Sequence, residues 1–165
     1  MKYSDCEIKK YLGLSAKELT DNGICPTCFN RCTNESVFGS DKELKVFEDT
    51  DIEILFVANP RAEGHMMIAT KNHYHDLSEA PDYINEKIIR YAKQLMLIIK
   101  EVYNCERTYI CSMCDGPMNH YHMQLIPRYS FEERGSKNFV KPRIKYIYNE
   151  TKFNLIKQKL EQFNY

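Results

Sequence analysis

Apolar positions in the first half of the chain change their spacing from one segment to the next. The segment before Gly23 is mostly polar and is typical of one or two short helical turns, and the Pro-containing stretch "CPTCFNRC" after it is predicted to be a loop. Three short runs, "LKVFEDTD", "EILFVANP" and "HMMIATK", are apolar or alternating and are separated by turn residues. This pattern predicts consecutive antiparallel strands.

A different period begins at Pro81 and continues to Tyr103. Apolar residues recur there at steps of three and four, which predicts an amphipathic helix with one buried face. The recurring positions are Ile84, Ile88, Ile89, Ala92, Leu95, Met96, Ile99 and Val102. Two more strands are predicted in "RTYICSMC" and "HYHMQLIPRY", and a last helix from about Thr151 to Phe163. We therefore expect an α+β fold: an antiparallel sheet of about five strands, one long central helix and shorter terminal helices.

Length and charge narrow the class of protein. The chain has 165 residues, 43% of them hydrophobic, which suits one domain with a real core. We divide this domain into a helical segment (about 1–24), a core (25–130) and a basic loop with a C-terminal helix (131–165). Lys plus Arg and Asp plus Glu number 23 each, so no net field draws the protein to nucleic acid or an anionic membrane. The charged start "MKYSDCEIKK" and the lack of a long apolar run predict a cytoplasmic protein.

The stretch "HYHMQLIPRY" carries the first candidate chemistry. The two-residue period of a strand places His120, His122 and Gln124 on one face, and the apolar residues between them pack inward against a helix. A neutral imidazole can act as a nucleophile or a metal ligand, and an amide can donate to phosphate oxygens. The spacing alone is equally compatible with a solvated strand face.

The cysteines suggest a metal site. Seven cysteines are an odd number, which favours reduced thiols or metal ligands over paired disulfides. Cys25 and Cys28 in "CPTC" are spaced so that both thiolates can reach one tetrahedral ion. The candidates for the remaining ligands are His73, His75, His120, Cys111 and Cys114, and Cys32 is a possible spare ligand at an awkward reach. Residues three apart on a strand point to opposite faces, which argues against the pair Cys111 and Cys114.

Two segments, "EGHMMIATKNHYHDLSE" and "DGPMNHYHMQLIPR", carry a resemblance to a known family. In this order and separation they resemble the histidine-triad superfamily of nucleotide hydrolases and transferases, over roughly residues 25–130. The third histidine of that family's pattern is Gln124 here. The His-x-His-x-Gln form resembles the galactose-1-phosphate uridylyltransferase and diadenosine tetraphosphate phosphorylase branch, whereas "SMCDGP" is similar to the dinucleoside polyphosphate hydrolases.

The resemblance implies catalytic roles for two residues. His122 would attack the α-phosphorus of a nucleotide and form a nucleotidyl-histidine intermediate, and Gln124 would donate a hydrogen bond to a phosphate oxygen. An amide cannot protonate a leaving group, so we expect cleavage of phosphoanhydrides and poor cleavage of phosphoramidates. The partner would be a nucleotide or dinucleotide substrate. The acceptor can be water, phosphate or a sugar phosphate, and a catalytically weak nucleotide-binding module is the alternative.

The same resemblance implies a structural zinc ion and a homodimer. The zinc ligands would be Cys25, Cys28, His73 and His120, a closed set with no position for water. For His75 we expect a place at a helix entry or on the surface, and for His65 a locally satisfied side chain beside Gly64.

Two departures from the family pattern concern substrate contacts. The position eight residues before His65, where the family commonly places a ribose-binding Asp or Asn, holds Val57. Asn59 is the nearest polar substitute, and Asn119 is the candidate phosphate contact in the short loop before His120. Each asparagine is equally suited to capping its own turn.

The segment after the last strand is basic. Its cations are Arg128, Arg134, Lys137, Lys141 and Arg143. Such a cluster is usually a solvated face, but it could instead cover the site and meet the distal phosphates.

Overall fold

A computed structural model of the protein describes residues 1–33, 44–114 and 116–163. Asp115 of the "DGP" motif lies outside these ranges. The elements are α1 (Asp5–Tyr11), α2 (Ala16–Asp21), α3 (Pro26–Cys32), β1 (Lys45–Glu48), β2 (Ile52–Phe56), β3 (Met66–Thr70), α4 (Asp82–Tyr103), β4 (Arg107–Cys111), β5 (His122–Arg128) and α5 (Glu150–Glu161). The predicted α+β class, with its five strands and long central helix, is confirmed.

The five strands form one antiparallel sheet in the order β1-β2-β3-β5-β4. Neighbouring rows across β2, β3 and β5 are Ile54, Ile68, Met123 and Leu55, Met67, Gln124. Because side chains alternate along each strand, the first row belongs to the core and the second faces a cavity on the other side. The sheet thus separates a packed apolar face from the face that carries Gln124.

Helix α4 covers the apolar face of the sheet. Its buried residues are Ile84, Ile88, Tyr91, Ala92, Leu95, Ile98 and Ile99. The prediction was wrong for Ile89, which is 53% exposed, because successive helical residues point about 100° apart and Ile88 already faces the core. Within the described ranges, no helix has both the length and the apolar character that crossing a membrane requires.

The "CPTC" segment is the start of a helix, and its prediction as a loop was wrong. Pro26 occupies the first helical position, where a missing N–H costs nothing, and Cys25 precedes it as the N-cap. The backbone N–H of Cys28 lies 3.5 Å from Cys25 Sγ, so the thiol takes the place of the usual capping oxygen. Both sulfur atoms are consequently held at the first turn of α3.

The chain between the Ser136–Phe139 3₁₀ turn and α5 runs along the end of β2. We call residues 141–147 the C-terminal strap. The N–H of Ile144 donates to the carbonyl oxygen of Pro60 at 2.8 Å, and the N–H of Tyr146 donates to that of Ala58 at 3.3 Å. The Tyr146 ring packs on Phe56, 5.2 Å between ring centroids. These contacts fix the strap against the segment that follows β2.

Candidate functional site

The three polar residues predicted to share one face, His120, His122 and Gln124, are called the polar row. They lie beside a cavity of about 780 Å³. His122 and Gln124 are the first and third residues of β5, and His120 stands just before the strand. All three line the cavity, while Tyr121, Met123 and Leu125 are buried in the core. The apolar residues of the stretch therefore anchor the strand, and its polar residues face a space large enough for a nucleotide.

Hydrogen bonds fix the orientation of the His122 ring. Its Nδ1 lies 2.8 Å from the carbonyl oxygen of His120, which can only accept, so Nδ1 carries the proton. Its Nε2 lies 3.1 Å from the amide nitrogen of Gln124. The neutral ring therefore presents the lone pair of Nε2 toward the cavity side of the strand, with the Gln124 amide as its donor.

Sequence reasoning missed a third member of this chain of hydrogen bonds, His65. Its Nδ1 accepts the backbone N–H of Arg61 at 3.1 Å, so its Nε2 carries the proton and donates to Gln124 Oε1, also at 3.1 Å. This contact turns the amide nitrogen of Gln124 toward His122. The signal was present in the strand pairing, because the register Met67 to Gln124 makes His65 a diagonal neighbour of Gln124 on the same face.

The position of His65 depends on a tight turn. Gly64 has a φ of 74°, and a side chain at this position would collide with the ring of Tyr103. His65 itself is 1% exposed, and burial, with a smaller contribution from Arg143, lowers its pKa to about 4. His65 is therefore neutral near pH 7, as the tautomer in the hydrogen-bond chain requires.

The second cluster at the row contains the four residues Cys25, Cys28, His73 and His120. One ligand atom from each lies within 4.8 Å of all the others, and three of the residues are buried. The N-cap and first turn of α3 supply the two sulfur atoms, and the loop after β3 supplies His73. His120 lies two residues before the start of β5. This donor set can hold a metal ion.

The distances in the cluster fit a tetrahedral ion. Cys25 Sγ and Cys28 Sγ lie 3.6 and 3.4 Å from His120 Nδ1, and Cys28 Sγ lies 3.5 Å from His73 Nδ1. Metal–sulfur and metal–nitrogen bonds of about 2.3 and 2.0 Å at a tetrahedral angle give a separation of about 3.5 Å.

The hydrogen bond to Cys28 lowers the pKa of Cys25 to about 7, and the same contact, with burial, raises the pKa of Cys28 to about 11.

His120 connects the two clusters. Its Nε2 donates to the carbonyl oxygen of Thr70 at 2.7 Å, which leaves Nδ1 directed at the sulfur atoms. Its own carbonyl oxygen accepts the proton of His122 Nδ1. An ion on His120 would thus brace the backbone atom that orients His122.

The other predicted residues are distributed as follows. Asn59 and Val57 line the cavity. Asn119 is not among the lining residues, and its amide donates to the backbone carbonyl of His75. His75 is on the surface, where it contacts Glu79. Within the described ranges, Cys111 and Cys114 do not join the four-residue cluster.

The basic segment does not act as one group. Of its five cations, Arg134 is exposed. The other four have the following contacts: Arg128 is buried against Glu106, Lys137 pairs with Glu133, Lys141 pairs with Glu132, and Arg143 lines the cavity. The first three cations are therefore neutralised within the fold. Only Arg143 of these four extends from the strap to the face that carries His122.

Comparison with known proteins decides the family. A model of the HIT domain matches residues 39–131, more than half of the chain. The chain belongs to the HIT domain family. HIT proteins are nucleotide-binding hydrolases and transferases, and some members are not catalytic.

Individual relatives agree with this assignment. An uncharacterised HIT-like protein of Methanocaldococcus jannaschii is 30% identical over 88 residues, which cover 51% of this chain and 67% of that protein. The fold resembles a zinc-bound histidine triad protein of Mycobacterium smegmatis, with a TM-score of 0.58 and 17% identity over 72% of this chain and 84% of that one. It also resembles a HIT-like protein of Bartonella henselae, with a TM-score of 0.56 and 18% identity over 70% and 85% of the two chains.

Proposed function

We propose that this HIT protein cleaves a nucleotide phosphoanhydride, of the dinucleoside polyphosphate or nucleotide-sugar type, through a nucleotidyl intermediate on His122. The observation that carries the proposal is the tautomer of His122. A ring that is neutral, protonated at Nδ1 and directed with Nε2 toward a cavity has the form that nucleophilic attack on phosphorus needs. Substrate would displace the amide of Gln124 from that lone pair.

The first step forms one bond and breaks one. The lone pair of His122 Nε2 attacks the α-phosphorus, and the bond from phosphorus to the bridging oxygen breaks, with the electron pair leaving on the phosphate. The proton on Nδ1 remains shared with the carbonyl oxygen of His120, which stabilises the positive charge that the ring acquires. The amide of Gln124 moves its hydrogen bond to a non-bridging oxygen, where negative charge grows.

In the second step, water or the oxygen of a phosphate attacks the same phosphorus. The bond to Nε2 breaks and the lone pair returns to the ring, which regenerates the free protein. A water nucleophile gives its proton to the solvent or the product phosphate. Whether the protein is a hydrolase or a transferase therefore depends on which acceptor reaches the phosphorus on the side opposite His122.

Gln124 limits the range of leaving groups. A phosphate departs as a weak base and needs no proton, whereas an amine must be protonated as it leaves. The Gln124 amide is aligned by His65, whose neutral ring is equally unable to supply a proton near pH 7. Anhydrides are accordingly the preferred substrates and phosphoramidates poor ones.

Zinc is the metal we assign to Cys25, Cys28, His73 and His120. Two thiolates and two imidazoles at tetrahedral separations are typical of structural zinc sites. The ion would supply folding energy and rigidity, tying the start of α3 to His120 in the segment before β5. Elemental analysis of protein purified without added metal should find close to one zinc per chain.

Asn59 and Asn119 complete the proposal as substrate contacts. Asn59 is at the cavity wall, and its side chain is the polar group nearest in sequence to Val57. Asn119 would have to leave the carbonyl oxygen of His75 to reach phosphate.

A homodimer, which the resemblance implies, is part of the same proposal. β4 is the outermost strand on its side of the sheet and carries Ile110, 40% exposed; light scattering tests the assembly.

Mass spectrometry tests the proposed function. Protein is mixed with a panel of dinucleoside polyphosphates and nucleotide sugars, and its intact mass is followed over time in wild type, His122→Ala and His75→Ala. We expect a nucleotidyl mass increment in wild type and in His75→Ala and none in His122→Ala. Release of product with and without inorganic phosphate then identifies the acceptor. Nucleotide that binds without any increment in wild type would contradict the proposal and identify a binding module.

A further inference from the structure

A buried carboxylate lies on the same face of the sheet as His122. Glu53 of β2 pairs with Ala69 of β3, and Ala69 pairs with His122 of β5. Residues directly opposite each other on neighbouring strands point to the same face, and both Glu53 and His122 line the cavity. Two strand spacings separate their Cα atoms by about 10 Å. Glu53 is 5% exposed, so water screens its charge poorly.

Two cations neutralise this carboxylate. Arg31 donates to Oε1 of Glu53 from both Nε and Nη2, with Nε at 3.1 Å. Lys45 Nζ lies 3.4 Å from Oε2 of the same carboxylate, but it also pairs with Glu48. Arg31 therefore makes the closer contact and contributes more of the neutralising charge.

Arg31 belongs to the helix whose start holds both sulfur atoms of the metal cluster. It follows Cys28 by nearly one helical turn in α3. Its Nη1 donates to the carbonyl oxygen of Lys71 at 2.7 Å and lies 3.4 Å from Nε2 of His120. The guanidinium group thus joins α3 to the wall of the cavity.

The position of α3 over the sheet depends on polar contacts of this kind. Its buried aromatic residue, Phe29, packs with Leu19 and Ile24 in a small apolar cluster apart from the main core. In the part of the chain that the structure describes, the main core has no residue before Leu44. A metal ion on the two cysteines of α3 would therefore fix this helix, and with it Arg31, against the sheet.

We propose that Arg31 is a positioning residue that neutralises Glu53 so that an anionic phosphate can bind at His122, and that a metal ion on α3 keeps Arg31 in place. The inference rests on the proposed function, because it takes the substrate phosphate to lie at His122. Without Arg31, the carboxylate would repel that phosphate across the cavity. Unit charges about 10 Å apart in a partly buried site change a binding constant roughly tenfold.

Substitutions in the ion pair separate this role from a structural one. Arg31→Gln removes the cation and should weaken the binding of a nucleoside monophosphate. Glu53→Gln removes the anion at nearly constant volume and should strengthen the same binding, whereas loss of a merely structural ion pair would weaken it. The double variant removes both charges and should bind as wild type does. Lys17→Gln is the control for a lost cation, because Lys17 is exposed on α2 and does not line the cavity.

The first experiment measures the binding of adenosine, guanosine, cytidine and uridine 5′-monophosphates by calorimetry at fixed ionic strength, with zinc-loaded proteins. For the nucleotide that wild type binds most tightly, we expect Arg31→Gln to bind roughly tenfold more weakly and Glu53→Gln roughly tenfold more tightly. The double variant and Lys17→Gln should bind within about threefold of wild type.

Three results of this experiment would overturn the proposal. They are wild-type protein that binds none of the four nucleotides, Glu53→Gln that binds no more tightly than wild type, and a double variant as weak as Arg31→Gln. Melting temperatures show which variants are folded. Glu53→Gln still decides the proposal if Arg31→Gln does not fold, because it leaves Arg31 unchanged.

The second experiment tests the dependence on the metal. Zinc affinity is measured by competition with a chromophoric chelator, with and without the same monophosphate. Because coupling between two binding sites is reciprocal, we expect the nucleotide to tighten zinc binding roughly tenfold in wild type and less than about twofold in the double variant. Zinc affinity that the nucleotide does not change in wild type, or changes equally in both proteins, would overturn the coupling through Arg31.

Neither experiment requires a covalent adduct, so this proposal and the proposed function can fail separately. Absence of an adduct on His122, with the expected binding pattern of the variants, would refute the nucleophile and leave the role of Arg31 intact. An adduct on His122, with equal monophosphate binding in wild type, Arg31→Gln and Glu53→Gln, would refute the role of Arg31 and leave the nucleophile intact.

Discussion

The two ends of the polar row differ in whether their side chains are directed at each other or lie beside a cavity. At one end, Cys25, Cys28, His73 and His120 direct their donor atoms at each other within 4.8 Å, and three of the four are buried. At the other end, His65, Gln124 and His122 form a chain of hydrogen bonds that ends at Nε2 of His122, and Gln124 and His122 line a cavity. The same alternation of a strand thus produces a site suited to holding an ion and a site suited to reaction.

The comparison also shows how the two ends depend on each other. His120 contributes a ring nitrogen to the first and a backbone oxygen to the second. Metal binding would therefore order the ring of His122 without touching a ligand in the cavity. The following predictions separate the two ends.

The largest effect is expected from His122→Ala. Removal of the proposed nucleophile should lower kcat roughly a thousandfold or more, because the imidazole supplies the lone pair that would attack phosphorus. Metal content and melting temperature should change little, since the ring of His122 is not part of the four-residue cluster. A His122→Ala protein that has lost its metal would show that the two ends are not separable in this way.

The next largest effect is expected from Cys28→Ala. Loss of one of four ligands should reduce the metal content and lower the melting temperature, because the binding free energy of a structural zinc is also folding free energy. Activity should fall only as far as the segment that carries His120, just before β5, loosens. Cys32→Ala is the matched control, because Cys32 is exposed on the same helix and outside the cluster. Equal metal content in both variants would contradict the assignment.

A smaller effect is expected from the pH dependence of stability. The unfolded chain protonates His65 near its ordinary pKa of 6.5, whereas the folded protein resists protonation until about pH 4. The free energy of unfolding should therefore decrease as pH falls from 6.5 to 4, by on the order of 3 kcal/mol from this residue. Denaturant titrations should show this slope in wild type and a reduced slope in His65→Gln. Identical slopes would mean that His65 is not buried as a neutral ring.

The smallest effect is expected from Gln124→His. An imidazole at this position can protonate a departing amine, so the ratio of phosphoramidate to anhydride turnover should rise about tenfold. Kinetics with both substrates on the variant and on wild type give the ratio directly. An unchanged ratio would indicate that the leaving-group proton comes from elsewhere.

Much of this architecture follows from short-range patterns in the sequence. The two-residue period around His122 predicted the polar side chains that line the cavity, and the three- and four-residue period located α4 almost to its ends. The prediction for Ile89 was wrong because apolar character alone does not say whether a residue belongs to the buried stripe of a helix. The start of α3 was missed because a cysteine in place of the usual capping oxygen is a weak helix signal.

Contacts between distant residues were harder to predict. His65 and Gln124 are 59 positions apart, and only the pairing of β3 with β5 brings them together. Asn119 was suggested as a phosphate contact from its position, but its amide is engaged by the carbonyl of His75, which sequence spacing could not show. Arg143 reaches the cavity because the strap pairs with residues 58–60, a contact with no sequence signal.

The most direct test of the account is the identity of the modified residue. Wild-type protein is quenched in acid-free medium within milliseconds of mixing with a dinucleoside polyphosphate, digested and mapped by mass spectrometry, with Gln124→Ala run in parallel. The account predicts a nucleotidyl group on His122 alone, and less of it in the variant. A nucleotidyl group on His120, His65 or any other residue, or no covalent adduct while substrate is consumed, would contradict it.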